Sequence, residues 1–276
     1  MEGCGYAYHA RRSRGIVDII TISTGSHRYA EMAFNLAVSA KSAFPNSKFS
    51  VITDGNIRAN DAFIFDKIIP FTGNPFEAKT RLPELTPYEK TLYLDADTIC
   101  IPGGPFDALS MRFDGCTFAA FTYGWFGPGE DGGKMKWATI EEIQAISGTK
   151  NKVPAYQSSA IFFDNSQRNV DFFNVANRYY KLCRSKITVK GFQPDELAFS
   201  IAGSILQHYS DFQIPIAFCD TPGNQTEIMR DYKFISLAGE IIPKKALGIY
   251  TNAATTAAKA LGVIAHPFDP KAKRMK

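Results

Sequence analysis

Residues 91–99 read TLYLDADTI: a short strand-forming run that ends in two carboxylates, Asp95 and Asp97. Open α/β sheets bind their ligands at the carboxyl ends of strands, which is where such a run would deliver this pair. At i and i+2 of an extended chain both side chains share a face, and a turn beginning there can converge them. Two carboxylates so close repel unless a cation or a proton intervenes. A hard divalent ion, Mn²⁺ or Mg²⁺, holding substrate phosphates is one answer. The plainer alternative is that one aspartate caps the next turn while the other is solvated.

The elements that must position this pair can be read along the chain. Residues 16–23 (IVDIITIS) are apolar and β-branched between Gly15 and Gly25, as a buried strand requires. Ala30, Ala33, Phe34, Ala37 and Val38 fall on one face of a helix that Pro45 ends. Further strands are expected at 48–53, closed by the turn pair Asp54-Gly55, and at 67–71, 91–94, 116–122 and 160–163. Residues 77–85 suggest a helix interrupted by Pro83. Phe172, Val175, Ala176, Tyr179 and Cys183 share another helical face. Helices are expected over 138–146, 195–205 (with Pro194 at the start) and 253–261, followed by a terminal strand at 263–265. Strands alternating with helices predict an α/β fold, with a mixed, mostly parallel sheet flanked by helices.

No linker or repeat divides the chain, so residues 1–276 read as a single domain, with 1–14 expected to be flexible. Residues 123–152 hold six glycines and both tryptophans, which suggests a lid or a wall on the acceptor side. Over 276 residues, 31 Lys+Arg stand against 27 Asp+Glu, for a formal charge of +4. With 45% apolar and 21% charged residues, the composition excludes disordered, collagenous and coiled-coil classes. Five scattered cysteines without a CxxC pair suggest reduced thiols, and no apolar run approaches the ~20 residues of a membrane span. Both observations point to a cytoplasmic protein.

The block Lys79-Thr80-Arg81-Leu82-Pro83-Glu84-Leu85, followed by Tyr88-Glu89-Lys90-Thr91-Leu92-Tyr93-Leu94-Asp95-Ala96-Asp97-Thr98, resembles glycosyltransferases of the GT-A fold. The nearest group is the retaining, glycogenin- and galactosyltransferase-like family 8. The similarity weakens over 16–53 and 156–202. It implies a nucleoside-diphosphate sugar as donor, with Asp95 and Asp97 as the DxD motif on Mn²⁺ or Mg²⁺. It also implies that Thr21, Ser23 and Tyr29 surround the nucleobase, in a loop that here lacks an acidic or amide residue. Lys79 and Arg81 match a cation beside the donor diphosphate.

Gln157 and Ser158 resemble the family's N-S-G stretch lining the sugar pocket, with Asn and Gly replaced. Asp195-Glu196 stands where the family has Asp-Gln at the start of a helix. The resemblance gives Asp195 a sugar hydroxyl and leaves Glu196 near the free face of the reacting carbon. As a plain acidic pair, the two would simply suit a helix N-terminus. The family ends in a strand followed by a histidine on the metal and a lysine on the phosphates. His266 and Lys271 (or Lys273) take those places, with residues 263–276 covering the donor.

The resemblance therefore implies a metal-dependent glycosyltransferase, acting with retention on an acceptor that could be a glycan, a protein, a lipid-linked sugar or a hydroxylated DNA base. The basic end KAKRMK leans toward an anionic acceptor. Two alternatives stay open: a non-catalytic nucleotide-sugar binding module, and a haloacid-dehalogenase-like phosphatase, whose DxDxT nucleophile motif Asp95-Ala96-Asp97-Thr98 also matches. The phosphatase motif belongs on a first strand with a later G-D-x-x-x-D, which is missing here. A nucleotidyltransferase would need a Gly-rich basic loop after the first strand, and TISTGSHRY is not one.

Overall fold

A computed structural model of the chain describes residues 17–102, 106–130, 138–186, 194–237 and 242–268. Segment 1–14, Lys271 and Lys273 lie outside the described residues.

Strands β1 (Asp18–Ser23), β2 (Phe49–Thr53), β3 (Lys67–Pro70) and β4 (Lys90–Leu94) form the parallel part of a six-stranded sheet. With β6 (Phe118–Phe126) and β7 (Val153–Asp164), the order is β3-β2-β1-β4-β7-β6. Only β7 runs against the others, pairing antiparallel with both β4 and β6. The sheet is covered on both faces, so β1 is buried from Ile19 to Ser23: Ile19 feeds one core cluster while Ile20 and Ile22 feed the other. A smaller sheet, β5 (Thr98–Cys100), β9 (Phe234–Ser236) and β8 (Ile216–Phe218), starts immediately after the DxD turn.

Helix α1 (His27–Ala43) follows β1 and lies on the first face. Residues 77–85 divide as their proline dictates. Asn74 caps α2 (Pro75–Lys79) by accepting the Phe76 N–H at 2.8 Å, and Pro83 sits in the first turn of a separate α3 (Leu82–Leu85). The division ends α2 on Lys79. Helices α4 (Phe106–Asp114), α5 (Ile140–Ser147), α6 (Gln167–Lys186), α7 (Asp195–Leu206), α8 (Gln225–Asp231) and α9 (Lys244–Leu261) complete the described elements. Within the segment expected as a lid, Thr139 and Glu142 form a capping box for α5, whose Ile140 and Ile143 share an apolar cluster with Leu197 and Ile201 of α7.

Two features depart from the expected pattern. Residues 263–265 form no strand and instead run along α1 without regular structure. Strand β7 is three times as long as the apolar run 160–163 suggested, because its polar stretch Gln157-Ser158-Ser159 is buried as well.

Candidate active site

The β4–β7 ladder delivers the first aspartate. Leu94 pairs with Ala160, and the Asp95 N–H continues the ladder to the Ser159 carbonyl at 2.9 Å. On the other edge of β7 the register jumps: Ala120 faces Ile161, while the next residue, Phe121, faces Gln157. Residues 158–160 thus form a bulge toward β4, and Gln157 holds it by accepting the Ser159 N–H on Oε1 at 2.6 Å. Helix α7 comes close at this point. A Cβ on Gly203 would meet the Pro154 ring at 2.5 Å, so only glycine lets the helix lie so near β7. That approach sets the N-terminal residues of α7, Asp195 and Glu196, beside the bulge.

Lys79, at the end of α2, reaches into this junction. Its ammonium lies 2.8 Å from Asp95 Oδ1, 3.3 Å from Asp195 Oδ2 and 3.2 Å from Ser158 Oγ. The Ser158 hydroxyl donates to Asp195 Oδ2 at 2.7 Å, and the Tyr93 hydroxyl donates to Asp95 Oδ1. Burial opposes the charge of Lys79, yet Asp95, Tyr93 and Asp195 hold it well above the ordinary lysine range. The Tyr93 hydroxyl is driven well above its usual range by burial and by Asp95. Glu196 is half-buried and takes a long 3.5 Å contact from the Ser158 N–H. Burial, then the charge of Asp195, pushes its carboxyl up to about 8, so at neutral pH it is mostly protonated. Tyr123, on the exposed end of β6, is pushed up to about 12 by burial and by the carboxyls of Glu196 and Asp220.

Asp97, half-buried on the turn beyond β4, accepts from the Ser236 hydroxyl at 3.2 Å and through its carbonyl from the Leu237 N–H at 3.1 Å. The two aspartates are therefore anchored to different sheets.

Other expected residues go elsewhere. His266 does not approach the carboxylates. Its backbone N–H and carbonyl both bond the Asn35 side chain at 2.9 Å, its ring stacks edge-on against Phe34, and its Nε2 lies 3.0 Å from Asp61. The residue expected as third metal ligand is thus a clasp between the 263–268 segment and α1, because Asn35 fixes its backbone there. Thr21 spends its hydroxyl on the Leu94 carbonyl at 2.7 Å, tying β1 to β4, and Ser23 is buried against Asn56. Of the residues expected around a nucleobase, only Tyr29 stays partly exposed. Arg81 folds back onto Glu84 at 2.8 Å, a surface pair of small energy.

The sequence reading missed Tyr93, Ser236, Asp54 and Asn56. Period-two alternation could have found Tyr93, since it shares a strand face with Asp95. Asp54 and Asn56 lie in the loop after β2 and bond the end of β1: Asp54 accepts the Gly25 N–H at 2.7 Å, and Asn56 accepts from both Thr53 and Ser23. Gly25 takes φ +88° there, a conformation that favours glycine.

No protein-family profile and no curated protein matches the sequence. Solved structures do match. The galactosyltransferase LgtC, determined in complex with donor and acceptor sugar analogues, aligns over 87% of this chain and 96% of its own, with TM-score 0.56 and 14% identity. An active-site glutamine-to-glutamate mutant of LgtC aligns equally well. The bifunctional glycosyltransferase WbbM aligns over 92% of this chain with TM-score 0.54 and 14% identity, and the match spans about half of WbbM, 53%. The fold is that of the GT-A glycosyltransferases. No helix among the described residues is long and apolar enough to cross a membrane.

Within this GT-A fold, the described residues hold no ready-made group of three His, Cys, Asp or Glu side chains arranged for a metal. The donor chemistry nevertheless fits a hard divalent ion. Asp95 and Asp97 offer oxygen ligands, and the carboxylates of Asp95, Asp97 and Asp195 outnumber the Lys79 ammonium by two charges.

Proposed function

We propose that the protein is a metal-dependent glycosyltransferase that moves a sugar from a nucleoside-diphosphate donor to an acceptor hydroxyl with retention of configuration. The observation that carries this reading is the junction at the end of β4, where Lys79 bridges Asp95 and Asp195 within a GT-A fold. Asp95 and Asp97 would hold Mn²⁺ or Mg²⁺, which supplies Lewis-acid stabilisation of the departing diphosphate.

The chain's own residues do the rest. Lys79 adds positive charge where negative charge develops, and its burial strengthens that effect. Asp195, held by Ser158 and Lys79, presents a carboxylate to the sugar, whose anomeric carbon becomes cationic as its bond to the phosphate oxygen breaks. The phosphate oxygen keeps the electron pair. The acceptor oxygen then bonds the carbon and gives its proton to the departing phosphate. Glu196, mostly protonated at neutral pH, acts as a polar neighbour on the free face, since a protonated carboxyl is a poor nucleophile. The neighbour LgtC binds donor and acceptor sugar analogues, which supports the same substrate class. An acceptor approaching along Tyr123 would meet Glu196.

Thermal unfolding in the presence of a panel of nucleotide sugars, with and without Mn²⁺, tests the reading. One donor should raise Tm only when Mn²⁺ is present, and the protein should slowly hydrolyse that donor. Binding without hydrolysis would leave a nucleotide-sugar binding module.

A further inference from the structure

An ammonium has three N–H donors, and Lys79 has three acceptors: Asp95 Oδ1, Ser158 Oγ and Asp195 Oδ2. The ammonium also lies 5.4 and 5.7 Å from the centroids of the Phe76 and Tyr93 rings, and the side chain is 8% exposed, so water offers it little. Asp95 Oδ1 is engaged twice, by Lys79 and by the Tyr93 hydroxyl. A divalent cation drawn to Asp95 and Asp97 therefore meets the ammonium at the same carboxylate, and two cations on one carboxylate repel.

Resting on the reading of Asp95 and Asp97 as metal ligands, we propose that Lys79 competes with the metal for Asp95 and passes to Asp195 and Ser158 when the metal binds. The transfer is short, because both receiving oxygens already lie within 3.3 Å of the ammonium. It strands no buried charge, because Lys79 keeps a carboxylate partner throughout. The N–H that leaves Asp95 then turns to an oxygen of the donor substrate. Metal binding thus prepares the cation that the donor needs, and by reciprocity the donor tightens the metal.

Calorimetric Mn²⁺ titrations of the full chain without nucleotide test this through a double-mutant cycle. Lys79→Met should bind Mn²⁺ about tenfold more tightly than the native protein, and the same substitution should gain at least about threefold more in an Asp195→Asn background. In that background Lys79 has lost its alternative carboxylate and competes harder for Asp95. Equal gains in the two backgrounds would mean simple charge repulsion and would overturn the transfer, as would unchanged or weaker binding by Lys79→Met. If Lys79→Met does not fold, Asp195→Asn decides: it should bind Mn²⁺ several-fold more weakly, and affinity equal to or above native overturns the proposal. Native protein that takes up no Mn²⁺ would fail the metal reading itself, whereas normal uptake with an unresponsive Lys79 fails this inference alone.

Discussion

His266 Nε2 lies 3.0 Å from Asp61 Oδ2, with both side chains largely shielded from solvent. The pair joins the end of the described chain to the 3-10 turn Ala59–Ile64, while Asn35 grips the backbone of His266 from α1. Asp61→Ala should lower stability in urea unfolding by about 1–2 kcal/mol, the cost of stranding a buried partner. His266→Ala should do the same and leave Mn²⁺ affinity within about twofold of native, since the ring serves the clasp and lies apart from the carboxylates. A tenfold or greater loss of Mn²⁺ binding would return His266 to the metal site.

Asp97→Ala should abolish Mn²⁺-dependent donor binding while the fold survives. The side chain is half-buried on a turn, and its hydrogen bond to Ser236 is worth only about 1 kcal/mol. Calorimetry of the variant with donor and Mn²⁺ checks this, and unchanged affinity would remove Asp97 from the site.

Glu196 gives the protein a pH signature. Its carboxyl rises from 4.5 to about 8 on folding, through burial and then Asp195. Below pH 4.5 it is neutral in both folded and unfolded chains. As pH climbs from there to about 8, the unfolded chain ionises first and stability falls. Glu196→Gln should flatten that slope and be more stable than native at pH 8, by ~1–3 kcal/mol. Chemical denaturation at pH 5, 6.5 and 8 reads the difference.

The same substitution separates roles in turnover. A protonated carboxyl and a carboxamide are both neutral and both offer a donor beside a carbonyl acceptor, so Glu196→Gln should lose less than about tenfold in kcat at pH 7. Native activity should fall as pH rises through about 8, and the variant should not show that fall. Near-complete loss at pH 7, with a glycosyl adduct on native Glu196 by mass spectrometry, would make it the nucleophile.

The bulge in β7 depends on Gln157, which is buried and bonds the Ser159 N–H. Gln157→Ala leaves that N–H without its partner, at a cost of about 1–3 kcal/mol. It should also slow turnover more than it weakens Mn²⁺ binding, because Ser158 loses its aim at Asp195 while Asp97 is untouched. Thermal unfolding with parallel kcat and Mn²⁺ titrations checks both.

The α/β class, α1 and the four parallel strands were legible because each depends on local periodicity and on punctuation by Gly15, Gly25, Pro45 and Asp54-Gly55. Strands β5, β8 and β9 were not, since three-residue strands carry no periodic signal. The strand expected at 160–163 missed the buried polar stretch Gln157-Ser158-Ser159 of β7 for a related reason: polarity suggests exposure until the partners of Gln157 and Ser158 are known.

The sequence by itself determined that Asp95 and Asp97 stand at the end of a buried strand and that Asp195-Glu196 opens a helix, because strand and helix starts are set by neighbouring residues. Only the tertiary structure decided the rest. It chose Lys79 over Arg81 as the cation at Asp95, turned His266 to Asp61, drew the hydroxyls of Thr21 and Ser23 into the sheet, and raised Glu196 to about 8. Each of these depends on which distant group a side chain meets and how much water is excluded when it does. Coulomb energy and desolvation both follow distance in space, and separation along the chain does not report it.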